Sequence, residues 1–126
     1  MRKCLLILFF AFAAAGASAA QIDTVAVFSA KMQREIPVLV VVPDAGVGRR
    51  MPVLYLLHGF GGSYTTWQNI TDLRPLADAC GMIVVCPDGA NSWYWDSPLD
   101  PASQFETFVA QELPDWIDAR YLTIPS

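Results

Sequence analysis

The sequence predicts an α/β fold built on a parallel strand–helix–strand unit, and three observations carry that expectation. Residues 53–57 (VLYLL) are apolar without a break, as in a strand buried on both faces of a parallel sheet. Residues 82–86 (MIVVC) form a second such run, stopped by Pro87-Asp88-Gly89. Between the two, Leu73, Leu76, Ala77 and Cys80 recur at i, i+3, i+4 and i+7, one face of a helix that Gly81 ends by tolerating the left-handed conformation.

At the N-terminus, Arg2 and Lys3 precede a twelve-residue apolar run at 4–15, and Ala17-Ser18-Ala19 offers an A-x-A cleavage site. Twelve residues are too few to span a bilayer, which takes about 20. Residues 1–20 are therefore expected to be a secretory signal peptide, cut after Ala19 or Ala20. The remainder, 21–126, is expected to be secreted or periplasmic, with no membrane contact after cleavage. The chain's 126 residues are short for an α/β enzyme, which often runs to about 200–250. Without Arg2 and Lys3, six basic residues face twelve acidic ones, and the net charge of −6 argues against nucleic acid or anionic membrane as partner.

From Gln21 the pattern is β. Thr24, Val25, Val27 and Phe28 read as one short strand and residues 35–42 (EIPVLVVV) as a second, joined by a short polar hairpin connection. Pro37 lies inside the second run and predicts an edge strand or a bulge. Residues 43–50 are a turn-rich surface loop. After residues 63–67, a helical segment is expected to run to about Cys80. Cys80 and Cys86 flank the second apolar strand, which would hold their Cα atoms roughly 20 Å apart, too far for a disulfide's limit of about 7 Å. Both read as buried small hydrophobes. With His58 the single histidine, no Cys/His metal site can be assembled, and no cofactor is expected.

Residues 90–102 (ANSWYWDSPLDPA) are loop by composition, yet they carry Trp93, Tyr94 and Trp95. Ser103-Gln104-Phe105-Glu106 reads as a capping box starting a helix at Ser103. Phe105, Phe108, Val109, Leu113, Trp116 and Ile117 follow helical spacing as core packing, with Glu112 a polar interruption and Pro114 expected to kink or divide the run.

The turn His58-Gly59-Phe60-Gly61-Gly62 follows the first apolar strand. Glycine adopts positive φ and adds no side chain, so such a turn brings backbone N–H groups close to a ligand. It lacks the lysine of a phosphate-binding P-loop and the spacing of a dinucleotide fingerprint. In form it is similar to the oxyanion loop of an α/β-hydrolase.

Four segments, PVLYLLHGFGGSYTTW, IVVCPDG, NSWYWDSP and FETFVAQELPDWID, resemble the secreted esterases of the esterase D and S-formylglutathione hydrolase type, relatives of the antigen 85 mycolyltransferases. The resemblance implies the N-terminal portion of an α/β-hydrolase: a leading β-hairpin, then the parallel βαβ unit, ending before the nucleophile elbow. It implies that the Phe60 backbone N–H donates to the oxyanion of a tetrahedral intermediate, with Gly61 and Gly62 shaping the loop. In the α/β-hydrolase order the catalytic histidine comes last, so His58, with Gly59, belongs to the loop's structure and holds it by a hydrogen bond. The fold's G-x-S-x-G is missing, since Ser63 lacks the second glycine and Ser92 stands between Ala90 and Tyr94. The triad serine, acid and histidine are therefore expected beyond Ser126, and this chain alone is expected to be inactive.

Trp93 and Tyr94 follow a strand's carboxyl end, where open sheets place ligands. They either line an acyl- or sugar-facing pocket or cover the core beneath the loop. Asp88 and Asp96 read as loop residues bonding local backbone. The implied activity is hydrolysis of a short acyl ester, a small molecule or a carbohydrate bearing acetyl or feruloyl groups. Acyl transfer through the same intermediate is the other enzymatic reading. A secreted binding module that keeps the scaffold without the triad is the non-catalytic one.

Overall fold

The computed structural model describes residues 19–44 and 48–125. Residues 1–18 of the expected signal peptide, residues 45–47 of the surface loop and Ser126 lie outside the described residues. Four strands form one mixed sheet. β1 (Gln21–Ser29) and β2 (Arg34–Val42) make the expected hairpin, paired antiparallel from Gln21↔Val42 to Ser29↔Arg34. β2 pairs antiparallel with β4 (Ile83–Pro87), and β4 pairs parallel with β3 (Val53–Tyr55). The expected βαβ unit is therefore present.

Helices cover both faces. α1 (Thr66–Ile70) and α2 (Arg74–Cys80) connect β3 to β4; α3 (Phe105–Thr107), a π-helical turn (Phe108–Glu112) and α4 (Leu113–Arg120) follow the long loop. Successive strand residues point to opposite faces, so Val38 and Val40 pack with Phe105, Phe108, Leu113 and Ile117, while Leu39 and Val41 pack with Leu73 and Ala77. Each of these large side chains contributes about 1.5–3 kcal/mol by leaving water. Gly81 closes α2 in the left-handed conformation at φ 62°, as expected.

Pro37 marks neither an edge nor a bulge, for β2 lies inside the sheet with an unbroken register. The Pro37 carbonyl accepts from Asp88 N–H just past the end of β4. In an antiparallel strand a residue's N and C=O face the same neighbour, so the N–H that proline lacks would have pointed beyond that ladder.

The first apolar run is not buried on both faces. β3 is three residues long, half-buried, and at the edge of the four-stranded sheet. Just before it, Met51 N–H donates to Leu122 O and Ile124 N–H to Met51 O, a parallel bridge to the chain that follows α4. The expected continuous helix is also divided, because Leu73 N–H turns to the Gln68 side chain and Pro75 opens α2. Only Leu73 and Ala77 of the expected face are buried; Leu76 and Cys80 are exposed, so Cys80 is no core residue. Cys86 is buried, and desolvation pushes its thiol up to about 11.

The capping box does not form. The helix starts at Phe105 with no side-chain cap from Gln104, whose amide instead donates to Ser97 O and Asp100 O. The N–H of Thr107 is taken by Asp96 from the preceding loop at 3.0 Å. Division before Pro114 is as expected: the π-helical turn sits there, and Leu113 N–H donates to Phe108 O. Glu112, the polar interruption, reaches the hairpin, accepting from Ser29 Oγ at 2.6 Å and Ala30 N–H at 2.7 Å.

Candidate functional site

The chain leaves β3 into a tight turn. Gly62 N–H donates to Gly59 O at 3.0 Å, with Phe60 and Gly61 as the central residues. Gly61 has φ +80°, which makes the turn type II and requires glycine there. Gly62 is required by space, since a Cβ would lie 2.8 Å from Thr66 Oγ1 and 3.0 Å from His58 Nδ1.

His58 is buried beneath this turn, 3% exposed. Its Nε2 accepts from Gly89 N–H at 2.9 Å, which assigns the ring proton to Nδ1, 2.7 Å from Gly59 O. Both ring nitrogens are engaged by backbone. Asp88 Oδ1 stands 3.8 Å from Nε2 and accepts from Ala90 N–H at 2.7 Å. Among the described residues the ring bonds no serine: Ser63 Oγ meets Thr65 Oγ1, and Ser92 Oγ donates to Gly89 O.

Residues 88–95, which follow β4, fold over the turn. Tyr94 Oη donates to His58 O at 2.7 Å, and Asn91 Oδ1 accepts from Gly61 N–H at 2.8 Å. Burial pushes the Tyr94 phenol up, keeping it a neutral donor. Three non-glycine residues here lie in the left-handed region: Ala90 (φ 47°), Trp93 (56°) and Tyr94 (54°). Such strain persists only where the surroundings over-determine it, and it clusters at ligand sites. Gly89 is indispensable to the fit, because a Cβ would fall 2.2 Å from Tyr94 Cε1.

The two segments enclose a cleft of about 140 Å³, lined by residues 58–60 and by Ala90, Asn91, Trp93 and Tyr94. The Phe60 ring stacks on Trp93 with centroids 5.5 Å apart and planes at 25°, and both rings are mostly exposed. Among the described residues nothing accepts a hydrogen bond from Phe60 N–H.

The structure thus brings His58, Gly59, Phe60, Trp93 and Tyr94 to one cleft. Gly61 borders it through Asn91, and Gly62 packs behind it. Trp93 is too exposed to cover the core, whereas Tyr94 lies partly over His58. Asp88 bonds local backbone as expected. Asp96 does not: it joins Thr107 and Lys31, and the Thr107 bonds, ahead of Lys31, hold its carboxyl down at about 2. Sequence reasoning missed Asn91. The one signal was its place just past a strand's carboxyl end, and asparagine is too common in turns for that to single it out.

Known proteins bear out the expected likeness. The chain is 33% identical over 81 residues to an esterase of Mycobacterium tuberculosis (Rv1288), covering 60% of this chain and 18% of that protein. Its fold superposes on an S-formylglutathione hydrolase from Agrobacterium tumefaciens with a TM-score of 0.78 at 22% identity, covering 86% of this chain and 47% of the other. A ferulic acid esterase superposes with a TM-score of 0.70 at 26% identity, over 86% of this chain and 46% of that one. The chain therefore spans less than half the length of the proteins it matches, and its sheet is part of an α/β-hydrolase sheet. Residues 29–126 match the sequence profile of the family described as Putative esterase, and the chain belongs to that family.

Proposed function

We propose that this chain supplies the oxyanion-stabilising side of a serine-type carboxylic-ester hydrolase. The observation that carries the reading is the Phe60 N–H, held by a type II turn and free of any acceptor among the described residues, beside a cleft walled by aromatic rings. A serine oxygen attacks the acyl carbon while a base takes its proton, and the carbonyl oxygen becomes anionic. A fixed N–H aimed at that oxygen stabilises the transition state by about 2.7–4 kcal/mol. Water then releases the acyl group from the serine.

His58 does not fill the role of base, since both its nitrogens hold backbone. The nucleophile, base and acid are proposed to come from sequence that follows residue 126. Supporting this, residues 122–124 already run parallel to the chain at Met51, two residues before β3. A strand continued in that direction would end level with the turn at 58–62. The substrate is proposed to be a short or aromatic acyl ester, of a small molecule or a carbohydrate. The stacked Phe60–Trp93 pair and the likeness to a ferulic acid esterase favour an aromatic acyl group. Secretion is proposed from the leader-like run at 4–15 and the Ala17-Ser18-Ala19 site.

The test is intact mass of the natural protein before and after a fluorophosphonate probe. The reading expects a mass near twice that of this chain and one adduct on a serine. A species matching residues 20–126 or 21–126 with no adduct would sink it. Adding a sugar acceptor to the active protein separates hydrolysis from acyl transfer by the product formed.

A further inference from the structure

We propose that Asn91 is a positioning residue that locks the oxyanion turn in its type II form, an inference that rests on the role proposed for Phe60 N–H. Type I and type II turns differ mainly in the central peptide. On passing from II to I, ψ of the first central residue moves from about +120° to −30°, and φ of the second from about +80° to −90°. The chain direction barely changes, so this peptide can turn over without unfolding its neighbours. Here the central peptide joins Phe60 to Gly61, and glycine permits both states.

The N–H and C=O of a trans peptide point in opposite directions. In the observed state Gly61 N–H points toward Asn91 and donates to its Oδ1 at 2.8 Å. Turned over, the peptide would aim the Phe60 carbonyl at that side instead. Asn91 lines the cleft with Phe60, so the carbonyl would bring partial negative charge to the wall of the cleft in which the oxyanion is proposed to form. With Oδ1 facing the turn, Asn91 favours the N–H, so a flip would have to break this bond and turn the carboxamide over as well.

Asn91 is itself held. Ala90, before it, sits at φ 47° with its N–H on Asp88 Oδ1, and Ser92, after it, is buried with its hydroxyl on Gly89 O. Gly89 N–H is tied to His58 Nε2. The loop after β4 thus anchors on the buried histidine and sets the turn through one amide.

The test uses the full natural chain and Asn91→Ala, with two readouts: hydrogen exchange at the Gly61 amide, and kcat and KM on an aryl ester. Asn91→Ala should speed Gly61 exchange about 10-fold or more by freeing the amide. It should lower kcat about 10-fold with KM within about twofold, because the defect lies in the transition state. Asn91→Asp keeps the acceptor and should retain Gly61 protection, which separates the lock from a general loss of fold. Unchanged Gly61 exchange in Asn91→Ala overturns the proposal, and so does faster exchange with undiminished kcat. Should the wild-type protein turn over no ester, the Phe60 role fails on its own; the lock then stands on faster Gly61 exchange and falls on unchanged exchange.

Discussion

Residues 58–62 and residues 88–94 face each other across the cleft, and both leave the ordinary backbone regions, by different means. The first uses glycine: Gly61 carries φ +80° with no side chain to strain, and its Cβ direction is open space. The second uses alanine, tryptophan and tyrosine at positive φ, each of which resists it. Its strain is held by the Ser92 hydroxyl, the Tyr94–His58 bond and the Gly89–His58 bond. One wall is conformationally cheap, its positive φ carried by a glycine and its central amide held from the other wall by Asn91. The other stands only while its side-chain bonds do, so it is the wall that substitution should collapse first.

The largest expected effect is therefore at Gly89, whose added Cβ would overlap the Tyr94 ring. Gly89→Ala should destabilise by about 3 kcal/mol, the upper end of overpacking, and break the Tyr94–His58 bond. Denaturant midpoints and Tyr94 exchange check it. Gly61→Ala meets no atoms and should cost only the left-handed penalty, about 1–2 kcal/mol. A Gly61 cost above that of Gly89 would reverse the comparison.

Further along the same loop, Asp96 accepts from Thr107 N–H in α3. Asp96→Ala should cost about 1 kcal/mol, as loss of a cap does. Because the folded carboxyl is held near 2, below its ordinary 3.8, its contribution is present above pH 3.8 and is lost as pH falls through about 2. The wild type should show that extra acid sensitivity in chemical denaturation, and the variant should not. The smallest effect belongs to Gly59→Ala, with open space and no positive φ, expected within about 0.5 kcal/mol of wild type.

The same contrast explains what was legible in the sequence. A glycine run after an apolar strand announces a turn with exposed N–H groups, and HGFGG was readable as such. Positive φ at Trp93 and Tyr94 leaves no trace in composition, because the turn held by Ser92 is anchored through the Tyr94 hydroxyl to His58, far back in the chain. The hairpin, β4, Gly81 and the Phe105–Ile117 stripe followed from local pattern. Pro37 misled because its harmlessness depends on where β4 ends. The Ser103 box misled because Asp96 competes for the helix N-terminus. Asn91 was invisible for the same reason: its partner lies thirty residues back.

The most direct test compares Phe60→Pro with Phe60→Ala in the complete natural protein. Proline suits the first central position of a type II turn and lacks the N–H, whereas alanine keeps the N–H and removes the ring. If Phe60 N–H stabilises the oxyanion, Phe60→Pro should lower kcat about 10²–10³-fold at nearly unchanged stability, and Phe60→Ala should keep most of kcat. Equal activity in the proline variant and the wild type would contradict the account.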